Sequence, residues 1–274
     1  MLRRLLGRPR SEPIAAGRWQ RIVFDLPFLQ HLDSAALERL KARSEAFLAT
    51  KRFSAAAGFE IDDDVRTAIA IQACLLTLNL DGEDDYPDFR GIVVYPESFV
   101  APREYVDDAG VVHEYHDELA GESMDDGPVV LSWSDADPST GYSGYNVVIH
   151  EFAHKLDLLD GAVNGAPLLP PALRDRWVRT MTAAYDDFSA RLEAAETAIP
   201  RHIDPDSPAA DAWYETLPLD PYAAIDPGEF FAVTVEAFFT DPQGIQQSYP
   251  ALYALFRDYF RQDPLAGTPA ASQS

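Results

Sequence analysis

Two histidines and a glutamate stand at the spacing His-Glu-x-x-His within the segment 147–157: His150, Glu151 and His154. On a helix, residues four apart lie one above the other, so both imidazoles can reach one Zn²⁺ at about 2.0–2.1 Å. Glu151, the next residue round, would face a water on the metal and act as its base. The spacing therefore predicts two zinc ligands and a catalytic carboxylate on one helix. The alternative is a pair of surface histidines on a solvated face.

A catalytic zinc site needs a third protein ligand and one open position for water. Asp157 and Asp160 stand where the extended motif of one large class would have a glycine and a third histidine, so that class is set aside. The remaining common solution is a glutamate on a later helix. Glu229 is the first choice and Glu236, on the same predicted helix, is the second. We expect Asp157 to support a ligand histidine by a hydrogen bond rather than to bind the metal.

Glu229 also has a purely structural explanation. Asp226 and Pro227 open the predicted helix as N-cap and first helical residue, which makes Glu229 the third residue of a capping box. However, the phenylalanine-rich face of this helix would dock beside the motif helix and bring Glu229 towards the metal. Both interpretations stay open at this point. A structural zinc site would need four protein ligands, and the sequence offers no convincing fourth.

Hydrophobic patterns predict the elements that position these residues. Ser34 can cap a first helix, and a more buried helix follows Asp62 to Asp64. The motif helix is predicted over about 144–159, with Gly161 ending it. Further helices are predicted at about 170–198, 226–241 and 249–262, and strands at 91–95, 111–115 and 128–133. A proline-rich acidic stretch over about 200–221 is predicted as a loop or lid.

These elements predict an α+β fold in which a small mixed sheet packs with the motif helix and with a second helix that carries the glutamate ligand. With 274 residues and 47% hydrophobic content, the chain fits one large domain better than two. We expect an extended arm at 1–17, the zinc metallopeptidase domain at 18–263, and a disordered tail at 264–274.

The acidic composition limits the partners of the protein. The chain carries 45 acidic and 22 basic side chains, a formal net charge of -23. Nucleic acid and anionic membranes repel such a charge, so we expect neither as a direct partner, whereas a basic protein would be attracted. The single cysteine, Cys74, excludes an internal disulfide, and no apolar stretch of signal-peptide length follows the basic N-terminus. Both facts predict a cytoplasmic protein.

Short motifs along most of the chain form a more specific pattern than the five-residue motif alone. They are Gly58-Phe59-Glu60, Tyr95-Pro96, Gly127–Leu131, Ile149–Asp157, Asp220–Ala224, Asp226–Glu229, Phe238-Phe239 and Gln262-Asp263-Pro264. Together they resemble the Mlc titration factor A (MtfA) family of gluzincin-type metallopeptidases, which is similar to the catalytic domain of anthrax lethal factor.

The resemblance implies one zinc per chain, held by His150, His154 and Glu229, with Glu151 as the catalytic carboxylate. It also implies that Tyr222, seven residues before Glu229, assists catalysis by donating a hydrogen bond to the oxyanion. We therefore expect a zinc-dependent peptidase, an aminopeptidase acting on small peptides. The alternative is a regulatory protein that sequesters a transcriptional repressor such as Mlc, with a secondary role for the zinc site.

Overall fold

The computed structural model describes residues 12–82, 86–87, 89–106, 112–119, 121–123, 127–138, 145–205 and 207–266; for 99–106, 112–119 and 122 it describes the backbone alone. The helices are α1 (Ala16–Phe24), α2 (Ser34–Thr50), α3 (Asp63–Thr77), α4 (Trp133–Ala136), α5 (Val147–Asp157), α6 (Arg174–Ala198), α7 (Asp211–Tyr214), α8 (Pro227–Thr240), α9 (Pro242–Ser248) and α10 (Pro250–Phe260). The strands are β1 (Arg52–Ala55), β2 (Gly91–Tyr95), β3 (Phe99–Val106), β4 (Val112–Leu119), β5 (Gly121–Ser123) and β6 (Val129–Ser132).

A small mixed sheet packs with these helices, which confirms the predicted α+β class. The sheet has the order β1-β2-β6-β5; the first three strands are parallel, and β5 pairs antiparallel with β6 at the edge. β3 and β4 form a separate antiparallel pair. The strands predicted at 91–95, 111–115 and 128–133 correspond to β2, β4 and β6. The short strands β1 and β5 and the eight-residue β3 had not been predicted.

The motif helix α5 starts later than expected. Asn146 caps it by accepting a hydrogen bond from the Ile149 N–H at 2.9 Å, so the helix begins at Val147 rather than near 144. A 3₁₀ turn at Leu158–Asp160 follows, and Gly161 ends it with a φ of 97°, as predicted. All eleven residues of α5 are buried, because α3, α8, β5 and β6 surround the helix. The polar side of α5 is therefore interior and not solvated.

Helix α8 lies directly against α5. Its predicted start is confirmed, because Asp226 Oδ1 accepts hydrogen bonds from the backbone N–H groups of Gly228 and Glu229, and Pro227 is the first helical residue. The helix ends at Thr240, next to the predicted Asp241. The phenylalanines of α8 are fully buried and fix it to the core: Phe230, Phe231, Phe238 and Phe239. The first turn of α8 is therefore held beside the polar side of α5.

The cap of α2 differs from the prediction. Asp33, not Ser34, is the N-cap, and its carboxylate accepts a hydrogen bond from the Ala36 N–H at 2.7 Å. Ser34 is the first helical residue. Asp and Ser are both good N-cap residues, so the conformation of the preceding turn decides which of the two adjacent residues caps the helix. The apolar stripe of α2 does face the core, where Leu40 and Phe47 are buried.

Two other regions bear on the predicted boundaries. Residues 1–11 and 267–274 lie outside the described residues, so the arm and the tail stay predictions. In the described part, Ile14 is buried, α1 begins at Ala16, and Leu265 packs against the core. The predicted loop or lid contains a 3₁₀ turn at Pro208–Ala210 and the short α7. None of the described helices combines the length and the hydropathy needed to cross a membrane.

Candidate active site

Three predicted ligand atoms meet between α5 and α8. His150 and His154 lie one turn apart on α5, and their Nε2 atoms are 3.2 Å from each other. Oε2 of Glu229, in the first turn of α8, lies 3.1 Å from Nε2 of His150 and 3.2 Å from Nε2 of His154. The three atoms form a nearly equilateral triangle. Among the residues that the structure describes, no other three His, Cys, Asp or Glu side chains come together in this way.

The triangle fits a zinc ion. Tetrahedral zinc with bonds of 2.0–2.1 Å has neighbouring ligand atoms about 3.3 Å apart. The separations of 3.1 and 3.2 Å match that value within a small relaxation. Two imidazoles and one carboxylate are also the donor set of many catalytic zinc sites, in which a fourth position stays open. The residues present therefore fit the metal that the sequence predicted.

The charges in the cluster depend on one another. Burial disfavours a charged His150, but the hydrogen bond with Glu229 and the nearby carboxylates of Glu236 and Glu151 outweigh it and raise the His150 pKa to about 10. Burial alone would raise the pKa of Glu229, yet hydrogen bonds with His150 and His154 lower it to about 2. The two shifts favour a carboxylate paired with an imidazolium. Since a metal needs neutral imidazoles, that proton would have to leave when zinc binds.

The position of Glu229 is compatible with both interpretations that the sequence left open as alternatives. Its backbone N–H donates to the Asp226 cap at 2.9 Å. Its side chain turns towards α5, where Oε2 contacts both histidines and Oε1 lies 3.5 Å from the hydroxyl of Tyr222. The cap therefore fixes the backbone of the first turn and leaves the carboxylate available for the histidines.

Glu236 lies behind the ring of His150. Its Oε1 accepts a hydrogen bond from the Asn146 N–H at 2.7 Å, and its Oε2 is 3.6 Å from Nδ1 of His150. Burial raises the pKa of Glu236, and the neighbouring His150 opposes that rise. Because Nδ1 points away from the triangle, Glu236 stands where a carboxylate can orient the imidazole and not where it could replace Glu229.

The structure gives Asp157 a different role from the predicted one. Its fully buried carboxylate accepts hydrogen bonds from the N–H groups of Asn164, Gly165 and Ala166, and its hydrogen bonds include none to His154. The buried Nδ1 of His154 has no hydrogen-bond partner among the residues that the structure describes. Burial raises the pKa of Asp157 to about 6, although the three backbone N–H donors favour its charged form. Asp157 therefore holds a loop rather than a ligand ring.

Glu151 lies at the inner end of a cavity of about 930 Å³. Its side chain is buried against β5, where Gly121 makes room for it: a Cβ at Gly121 would lie 2.5 Å from Oε1 of Glu151. Sequence reasoning missed Gly121. A glycine inside a strand often marks such a close approach, but β5 itself is too short and polar to be predicted.

The same cavity brings together residues from distant parts of the chain. Tyr222 lies in a 3₁₀ turn, is 41% exposed, and has its ring centroid 6.0 Å from that of His150. Tyr145 flanks His150 on another side, at 6.2 Å between ring centroids, and was not predicted. The outer wall carries the carboxylates of Asp211, Glu215, Asp220 and Asp241, and no lysine or arginine is among the lining residues that the structure describes.

The family of the chain follows from comparison with known proteins. The sequence model of a family described as glucose-regulated metallo-peptidase M90 matches residues 3–261. Mlc titration factor A of Salmonella gallinarum and that of Salmonella typhi are each 38% identical over 243 residues, which span 87% of this chain and 84% of the relative. An uncharacterized protein of Synechocystis is 36% identical over 251 residues, 90% of this chain and 84% of the relative.

The fold and the site thus define a metallopeptidase, and the chain belongs to the M90 metallopeptidase family. The resemblance to the Mlc titration factor A family that the sequence motifs indicated is confirmed.

Proposed function

We propose that the protein is a zinc-dependent aminopeptidase acting on small peptides. The observation that carries the proposal is the triangle of His150, His154 and Glu229, because His150 and the neighbouring Glu151 also line an open cavity. When bound there by these three side chains, zinc would act as a Lewis acid and lower the pKa of a water towards about 7.

The chain's own groups supply the proton transfers and the orientation. Glu151 takes a proton from the attacking water and returns it to the leaving amine. The hydroxyl of Tyr222, already beside Glu229, donates a hydrogen bond to the developing oxyanion. Glu236 holds the imidazole of His150 from behind. The burial of Glu151, Glu236 and His150 excludes bulk water from the inner end and strengthens the interactions of these three residues.

The charge of the cavity wall supports action at the amino end of a peptide. The free amino terminus of a substrate is a cation, and the outer wall presents the carboxylates of Asp211, Glu215, Asp220 and Asp241. Their field would favour a substrate whose α-ammonium group lies in the cavity, with its first peptide bond near Glu151. Acetylating the amino terminus removes that attraction.

The test joins metal analysis to peptide hydrolysis. We expect about one zinc per chain in protein purified without chelators. Zinc-dependent release of the first residue from a tripeptide should be lost in Glu151→Gln, because an amide cannot accept the proton of the water, while zinc content and fold are kept. An N-acetylated tripeptide serves as the substrate control. Absence of zinc after reconstitution would reject the proposal, as would near wild-type turnover by metal-loaded Glu151→Gln.

A second candidate function is binding of a transcriptional regulator. It is supported by the name Mlc titration factor A of the Salmonella relatives and by the net charge of -23, which would attract a basic protein and repel DNA. We expect a purified Mlc-type repressor to bind Glu151→Gln as well as wild type, with an association rate that falls as salt rises. No binding at low salt, or a shift of DNA by this protein alone, would reject this function.

Both functions suit the cytoplasm, where we place the protein. Its one cysteine, Cys74, is buried, and the chain has no second cysteine with which it could form an internal disulfide. A fold that contains no internal disulfide gains nothing from an oxidising compartment. Fractionation of cells that express the native chain tests this placement.

A further inference from the structure

The carboxylate of Asp157 holds a loop to the end of α5. Asp157 is the last residue of α5, three positions after His154, and is completely buried. Its Oδ2 accepts hydrogen bonds from the N–H groups of Asn164 at 2.9 Å and Gly165 at 2.7 Å, and its Oδ1 accepts one from Ala166 at 2.8 Å. Three donors to one carboxylate tie residues 163–166, here called the 163–166 loop, to the motif helix.

The 163–166 loop in turn touches the first turn of α8. Gly165 has a φ of 76°, and a Cβ on it would lie 2.4 Å from the carbonyl oxygen of Pro227, the first residue of α8. On the next residue, a Cβ at Gly228 would lie 2.5 Å from Cγ1 of Val163 and 3.7 Å from Oδ2 of Asp157 itself. The contact at Gly165 is with backbone and requires glycine, and the contact at Gly228 is with a side-chain methyl group of the loop. The loop therefore packs against the residues that immediately precede Glu229.

A third contact fixes the loop from the other side. The indole N–H of the buried Trp177, on α6, donates a hydrogen bond to the carbonyl oxygen of Gly165 at 2.8 Å. Held by both Asp157 and Trp177, the loop is a rigid spacer between the end of α5 and the start of α8. The buried phenylalanines of α8 follow Glu229 in the chain and fix the remaining turns of the helix against the core.

We propose that Asp157 is a positioning residue for the third metal ligand: through the 163–166 loop it fixes the first turn of α8, and with it the carboxylate of Glu229, relative to His150 and His154. This inference rests on the proposed zinc site. It differs from the support of a ligand histidine that the sequence suggested, because all three hydrogen bonds of Asp157 go to the loop backbone.

The first experiment is a double-mutant cycle on zinc affinity, measured by competition with a chromophoric chelator. Asp157→Asn keeps the size of the side chain but leaves only one acceptor oxygen. In the wild type, the two carboxylate oxygens of Asp157 accept hydrogen bonds from three backbone N–H groups. We expect Asp157→Asn to weaken zinc binding by about 10- to 100-fold, the usual effect of losing a group behind a ligand. In a Glu229→Ala background it should cause no further loss, because the ligand to be positioned is gone. Equal losses in both backgrounds, or no loss in either, would overturn the proposal.

A charge control accompanies the cycle. Asp160→Asn removes the same charge near the same end of α5. Asp160 is exposed, and its Oδ1 accepts a hydrogen bond from the Ala162 N–H. We expect its zinc affinity to equal that of the wild type. A loss as large as that of Asp157→Asn would show a general electrostatic effect and would also contradict the positioning role.

The second experiment uses two glycines of the same region and holds even if Asp157→Asn fails to fold. Gly161 and Gly165 both have positive φ, 97° and 76°, so alanine strains the backbone at either site. A Cβ at Gly161 meets nothing within 4 Å, whereas one at Gly165 collides with Pro227. We expect weaker zinc binding in Gly165→Ala only. Equal affinities of the two variants, each checked for folding by circular dichroism, would reject the contact as a determinant of the site.

These results separate the inference from the proposed function. A wild-type protein that binds no zinc would reject the function itself. A wild type that binds zinc, together with additive losses in the cycle, would reject only the role of Asp157 and leave the peptidase proposal standing.

Discussion

The candidate site has two sides that the chain builds in different ways. The ligand side consists of α5, the first turn of α8 and the 163–166 loop; α5 is buried throughout, and hydrogen bonds from backbone groups hold the loop on α5 and cap α8. The outer side, residues 208–224, consists of two 3₁₀ turns and the four-residue α7, and it carries exposed acidic side chains and Tyr222. The ligand atoms of a metal site tolerate little displacement, so the side chains that carry them need the close packing of the protein interior. Substrate preference can be set by surface turns, which can change with small effects on the fold.

The largest effect is expected at the ligand side, from Glu229→Ala. It removes one of three ligand atoms, so zinc affinity should fall by more than the roughly 10- to 100-fold loss typical of a supporting residue. Asp226→Ala is the comparison variant, because it removes the cap of the same helix turn at a cost of about 0.5–2 kcal/mol of stability but retains the Glu229 side chain, so its loss of zinc affinity should be much the smaller of the two. If Glu229→Ala kept full zinc occupancy and activity, Glu229 would be a capping residue and Glu236 the better candidate.

Tyr222→Phe tests the outer side. The variant should keep zinc, since the tyrosine hydroxyl lies 3.5 Å from Glu229 Oε1 and is not part of the ligand triangle. We expect kcat to fall by about 10²- to 10³-fold, the usual cost of one oxyanion donor, with a smaller change in KM. Steady-state kinetics on the zinc-loaded variant measures both constants. An effect confined to KM would make Tyr222 a residue that positions the substrate.

Gly121→Ala tests the close contact between β5 and Glu151. A Cβ at this position would lie 2.5 Å from Glu151 Oε1 and 2.6 Å from Val147 Cγ2, so Glu151 or β5 must move. A displacement near 1 Å of a catalytic group costs about 10²-fold in rate, and we expect a loss of kcat of that order or smaller with zinc affinity unchanged. Gly17→Ala is the control, because nothing lies within 4 Å of its Cβ position. Unchanged kcat in Gly121→Ala would mean that Glu151 can adjust without losing its function.

The local parts of this structure were predictable because local chemistry decides them. Asp226 and Pro227 specify the start of α8, and Gly161 ends the turn after α5, since a cap or a left-handed turn depends on a few neighbouring residues. The error at α2, where Asp33 caps the helix in place of Ser34, concerns two adjacent residues of equal capping ability. The late start of α5 has the same origin, because Asn146 is the residue that meets the Ile149 N–H.

Contacts between distant segments were beyond the reach of these patterns. Asp157 has the same spacing from His154 whether it supports that ring or the 163–166 loop, and only the packing of the loop between α5 and α8 selects the second role. Gly121 is one of 15 glycines, and nothing in its neighbourhood along the chain says that Glu151 will face it. Tyr145 and the acidic outer wall reach the cavity from separate segments for the same reason.

By itself, the sequence determined which side chains could bind a metal and that two of them lie together, because the helical period places His150 and His154 on one face of the same helix. It also determined the family, which depends on motifs along the chain. Only the tertiary structure decided that Glu229 points its carboxylate at both imidazoles while its backbone completes a helix cap. This arrangement requires α5 and α8 to pack at a particular distance and with a particular rotation about their axes. Core packing sets both quantities, through contacts between residues that are far apart in the chain.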